Sequence, residues 1–112
     1  MVIVKELIYE DDFLISEEKR IALKLIKVSK DEHFPAGIEF AVQYLYFKDG
    51  EWIQVARIDN QLHEGRPGVH IHILKREKVE WANISFSEAK EKIIELGEEV
   101  IKSMRGGQND KN

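Results

Sequence analysis

Three of the four histidines in this chain, His63, His70 and His72, fall within ten residues, with Arg57 and Asp59 a short way upstream. Imidazoles titrate near neutral pH, so two of them can exchange the roles of general base and general acid. A guanidinium at Arg57 would then steady the charge developing on a phosphodiester, and Asp59 would orient one of the rings. The same residues also read as a metal site. His70-x-His72 on a strand presents both rings to one side, and Asp59 or His63 completes a three-ligand set for a divalent ion, with His70, His72 and Asp59 as the first choice. The bland alternative is a surface ion pair, Arg57–Asp59, beside ordinary half-exposed histidines. Spacing alone leaves all three readings standing.

The surroundings favour an anionic ligand. From residue 57 to residue 76 the cations Arg57, Arg66, Lys75 and Arg76 face the anions Asp59 and Glu64, a window of +2 inside a chain of −4. Gly65, Pro67 and Gly68 add backbone that can approach a ligand closely. Elsewhere the candidates are weaker. His33 reads as a surface residue, and Tyr44, Tyr46, Phe47 and Trp52 read as sheet core or cross-strand pairs. There is no phosphate-binding glycine loop of the Walker or Rossmann type and no serine elbow.

The elements that must position these residues follow from periodicity. VIVKELIYE (2–10) reads as a strand, Asp11-Asp12 as a turn, and 13–16 as a short edge piece. Alternation makes 20–28 a strand, and a polar loop covers 29–37. IEFAVQYLYF (38–47) and EWIQVARID (51–59) are strands joined by Asp49-Gly50, which tolerates the positive φ of a tight hairpin. After the 60–68 loop, VHIHILKRE (69–77) is the next strand and 78–83 a connection. The two-residue period puts Val55, Arg57 and Asp59 on one face, with Ala56 and Ile58 on the other; His70 and His72 share a face opposite Val69, Ile71 and Ile73. A hairpin across 60–68 then brings Arg57, Asp59, His70 and His72 together, under a loop carrying His63.

Ser85-Phe86-Ser87-Glu88 has the form of a capping box. A 3.6-residue apolar stripe follows through Phe86, Ala89, Ile93, Ile94, Leu96, Gly97, Val100, Ile101 and Met104, and Gly106-Gly107 is a helix stop. The expected fold is therefore α+β: an antiparallel sheet of about five strands with one C-terminal amphipathic helix packed on one face. Residues 1–105 would form the domain and 106–112 a disordered tail. The opposite sheet face is left for solvent, a ligand or a partner.

Composition bounds the rest. A chain of 112 residues, 43% hydrophobic and 34% charged, has the makings of one globular core. The absence of Cys removes disulfides and thiolate chemistry. No apolar run spans a bilayer, and MVIVKELIYEDD does not read as a signal peptide, so the expectation is a cytoplasmic protein without a membrane partner.

The order of these features, a Tyr-rich strand, Lys48-Asp49-Gly50, Arg57-x-Asp59-Asn60, a His/Gly loop, His70-x-His72 and a Ser-capped helix, resembles the TumE-type family of small prokaryotic proteins over residues 38–105. Ile58 stands where that family usually has Tyr. The resemblance implies a toxin of a toxin–antitoxin pair, with an antitoxin protein as partner; the substrate expected from the residues themselves is RNA or another phosphate-bearing molecule. Arg57, Asp59, His63, His70 and His72 would carry ribonuclease-like chemistry with no cofactor beyond a divalent metal. The rival expectations are a metal-dependent enzyme on the same residues, or a non-enzymatic binding or homodimerisation module using the open sheet face.

Overall fold

A computed structural model of the chain describes residues 5–63, 65–74, 76 and 79–109. Six strands form one antiparallel sheet in sequential order: β1 (Lys5–Ser16), β2 (Lys19–Val28), β3 (Ile38–Lys48), β4 (Glu51–Asp59), β5 (Val69–Ile73) and β6 (Glu80–Ala82). A single helix, α1 (Phe86–Asn109), follows and packs over β3 and β4. The architecture is the expected α+β one, with one strand more than anticipated.

Registers run straight across the sheet. Leu23, Val42, Ile58 and Ile71 form one row, and Ile21, Tyr44, Ala56 and Ile73 the next. All eight are buried and belong to the core together with Ala89, Ile93, Leu96 and Ile101 of the helix. This row pattern is the two-residue strand period meeting the 3.6-residue helix period. The other face carries the rows Ala22, Gln43, Arg57, His72 and Lys24, Ala41, Asp59, His70, Trp81.

Local chemistry explains the ends. Asp49 and Gly50 take φ of 52° and 83°, the pair of positive values a two-residue hairpin turn requires. Ser85 and Glu88 cap the helix reciprocally: the Ser85 N–H donates to the Glu88 carboxylate at 3.0 Å, and the Glu88 N–H donates to Ser85 Oγ at 3.1 Å.

Five expectations need correcting. Asp11 and Asp12 do not turn the chain; they pair with Leu23 and Ala22 inside one continuous strand. At a sheet edge their carboxylates can point to solvent and to Arg20, which removes the usual objection to Asp in a strand. β5 stops at Ile73, where the Arg76 N–H bonds back to the Ile73 carbonyl at 3.0 Å, and the connection beyond it contains β6. Val55 has no partner in β3: a bulge sets Tyr44 opposite Ala56 and Leu45 opposite Gln54, so Val55 joins the core instead of sharing a row with Arg57. Ile94, assigned to the apolar stripe, is exposed. Finally, α1 runs through Gly106-Gly107 to Asn109, so the glycine pair does not end it. Residues 2–4, 77–78 and 110–112, within the expected strands, connection and tail, lie outside the described residues.

Helix and sheet meet most closely at Gly97, where an added Cβ would overlap the ring of fully buried Tyr44. That ring has little room to yield, because its hydroxyl donates to Glu98 on the helix and Glu98 also takes Lys19 at 2.8 Å. Burial, reinforced by the Glu98 carboxylate, pushes the Tyr44 phenol above its ordinary range, so it stays a donor. Gly97→Ala sets a propensity gain of about 1 kcal/mol against an overpacking cost of about 1–3 kcal/mol or more. With a rigid partner the overlap wins. Denaturant titration should show a net loss of about 2 kcal/mol; a gain in stability would contradict this packing.

Candidate functional site

The two edge-side rows of the open face bring the sequence-selected residues into contact. Arg57 lies directly across from His72, and Asp59 across from His70. Asp59 is 2% exposed and accepts two hydrogen bonds, from Arg57 Nε at 2.8 Å and the Gln61 N–H at 3.0 Å, and His70 Nε2 lies 3.1 Å from its Oδ1. A buried carboxylate needs such neighbours to repay its desolvation. Arg57 is fixed in turn, its second donor reaching Gln61 Oε1 at 3.1 Å.

His70 is 3% exposed and turns Nε2 toward Asp59, the side on which a carboxylate favours the ring proton. A neutral ring that donates from Nε2 leaves a lone pair on Nδ1. That Nδ1 is buried and has no hydrogen-bond partner among the described residues. An orphaned acceptor of this kind costs roughly 1–3 kcal/mol, so it calls for an explanation.

His63 and His72 close around it. Ring centroids lie 4.7 Å apart for His70–His72, 5.2 Å for His63–His70 and 5.5 Å for His63–His72. The three rings offer ligand atoms that all lie within 4.8 Å of one another. Burial first, then the neighbouring His70, pulls the His72 pKa below its ordinary value, which favours the neutral form that can bind a metal. His63 owes its position to a tight turn: His63 and Arg66 exchange backbone hydrogen bonds at 3.2 and 3.0 Å around Gly65, whose φ is 78°.

The structure therefore gathers Arg57, Asp59, His63, His70 and His72. Of the two residues that could complete a set with His70 and His72, it groups His63 with them, while Asp59 faces His70 Nε2 at 3.1 Å. His33 sits in the 29–37 loop near Glu32, apart from the cluster. Asn60 is structural: its amide accepts from the Phe40 N–H at 2.8 Å and donates to the Ile38 carbonyl at 2.7 Å, pinning the start of β3 beside the end of β4.

Sequence reasoning missed Trp81 and Gln61. Trp81 pairs with His70 across β5 and β6, with ring centroids 5.2 Å apart, and its other neighbours are His63 and Arg66, the latter with its guanidinium 3.9 Å from the ring centre. The Glu80-Trp81-Ala82 run was the available signal, a strand too short for periodicity to find. The charge excess also thins on inspection. Arg57 is committed to Asp59, Arg76 pairs with Glu80 at 2.9 Å, and Glu64 and Lys75 lie outside the described residues. Arg66 remains at the rim of a cavity of about 910 Å³, lined largely by apolar groups that include Phe34, Val69, Trp81 and Phe86.

The tautomer is directly measurable. In the metal-free protein, ¹⁵N shifts should show His70 protonated at Nε2 and bare at Nδ1. A proton on Nδ1 would contradict the Asp59–His70 geometry.

Among the described residues no helix is long and apolar enough to cross a membrane. No curated protein and no solved structure matches the chain. Residues 10–103 match the family described as Domain of unknown function (DUF7718), and the chain belongs to that family.

Proposed function

We propose that His63, His70 and His72 hold one zinc-like divalent ion that activates water against a phosphate ester. The observation that carries this is the buried, unpartnered Nδ1 of His70, fixed by Asp59 in the tautomer that can donate a lone pair, with two further imidazoles beside it. A metal ion would satisfy that nitrogen, and a carboxylate behind a ligand histidine is the usual support of such an ion. Tetrahedral bonds of about 2.0–2.1 Å require ligand atoms about 3.3 Å apart, so the cluster must contract on binding. His63 on its loop and half-buried His72 are the rings able to move.

Three neutral histidines would leave such an ion its full charge, and the chemistry it would supply is a bound water of pKa about 7 as nucleophile. Hydrolysis of the ester would form one bond from that water to phosphorus, break the bond to the leaving oxygen, and move one proton from the water, through solvent, to that oxygen. Arg57 beside His72 and Arg66 above Trp81 supply positive charge near the reacting group. The cavity beyond Trp81 and Arg66 has the size of a small-molecule body or a nucleobase, and none of the three histidines lines it. The resemblance in 57–72 makes single-stranded RNA the first macromolecular substrate to try, within a toxin–antitoxin setting.

Purified protein should retain about one equivalent of zinc after dialysis and, so loaded, should hydrolyse bis(p-nitrophenyl) phosphate or RNA. His63→Ala and His72→Ala, at the less buried positions, should each remove zinc binding while leaving the circular dichroism intact. Asp59→Asn should weaken zinc binding by roughly 10–100-fold. Undiminished zinc in both alanine variants would refute the site. Zinc bound as expected, with neither substrate cleaved, would refute the hydrolytic role.

A further inference from the structure

Nine large apolar side chains stay exposed among the described residues, and six of them lie on β1: Leu7, Ile8, Tyr9, Phe13, Leu14 and Ile15, each 38–60% exposed. β1 pairs with β2 on one side and, among the described residues, with no strand on the other. Its 12 residues make an edge about 40 Å long at ~3.3 Å per residue. Soluble proteins usually shorten such an edge or guard it with Lys or Pro. β1 contains no Pro, and its one Lys is its first residue.

The strand reads Leu7-Ile8-Tyr9, then Glu10-Asp11-Asp12, then Phe13-Leu14-Ile15: three apolar residues, three acids, three apolar residues. Two identical strands joined antiparallel by a two-fold axis must set one residue against its own copy. With Asp11 on the axis, Leu7 meets Ile15, Ile8 meets Leu14, and Tyr9 meets Phe13, while acids meet only acids. Moving the axis to Glu10 or Asp12 sets acids against apolar side chains. The pattern is self-complementary in one register.

We propose that β1 is a homodimerisation edge, at which a second copy of this chain continues the sheet antiparallel about Asp11. The central acids are largely offset within each copy. Asp12 takes Arg20 through two bonds, at 2.5 and 2.7 Å, and Glu10 lies 3.8 Å from Lys24. Asp11 accepts from the Tyr9 hydroxyl at 3.2 Å and the Asp12 N–H at 2.9 Å but pairs with no cation among the described residues, so the Asp11 pair on the axis is the one uncompensated repulsion. Bulges at Ile8 and Ile15 bound a regular stretch that contains Tyr9–Phe13, where the two-fold ladder forms, and Ile8 and Leu14 pack at its ends. The histidine cluster lies on β4, β5 and the loop between them, away from this edge, so pairing leaves it open and the two proposals stand independently.

Sedimentation velocity on the full chain tests this from low micromolar to 100 µM. The wild type should sediment as a dimer in the upper part of that range. Leu14→Lys should be monomeric throughout, with unchanged circular dichroism and melting temperature; Ile8→Lys is the second variant should Leu14→Lys fail to fold. Asp11→Asn should tighten the dimer roughly two- to fivefold by removing a like-charge cross-strand pair. A wild type that is monomeric throughout, a folded lysine variant that still dimerises, or a weaker Asp11→Asn dimer would each overturn the proposal.

Discussion

The site depends on one buried carboxylate. Asp59 sits at the end of β4 with a cation on one side, a backbone amide in front and an imidazole across the strand gap. Remove its charge and Arg57 and the Gln61 amide lose their anionic acceptor, and His70 loses the carboxylate it faces. With it in place, a neutral His70 is favoured with its proton on Nε2. Burial strengthens that preference, since water is kept from both groups.

The fold exists to hold that carboxylate and that ring opposite each other. The helix covers only one face, so the rows Ile21–Tyr44–Ala56–Ile73 and Leu23–Val42–Ile58–Ile71 make the core. Their neighbours in sequence, Arg57, Asp59, His70 and His72, are carried to the other face. Asn60 pins the corner where β4 leaves the sheet, and Trp81 on β6 closes the side of the cluster. The result is a partly buried polar cluster on a sheet face that is otherwise half-exposed.

Much of this was readable from residue order. Alternation placed β2 to β5, Asp49-Gly50 fixed the central hairpin, and the period of two in VHIHI put both histidines on the face of Arg57 and Asp59. Three kinds of feature were not readable. Asp11-Asp12 carries turn chemistry, and only its place at a sheet edge lets it stay extended. The bulge at Val55 and the three-residue β6 are tertiary choices that no periodicity records. Whether Asp59 or His63 is grouped with His70 and His72 depends on which nitrogen of His70 faces which neighbour. Spacing brings a ring to a place and leaves its rotation open.

If the three imidazoles, with Asp59 behind one of them, hold a metal as proposed, X-ray absorption of the zinc-loaded protein shows it. The expected spectrum has a nearest shell at about 2.0–2.1 Å with the multiple scattering of three imidazole rings and one oxygen donor. A shell with fewer than three imidazoles, or one in which a carboxylate takes the place of His63, would contradict it.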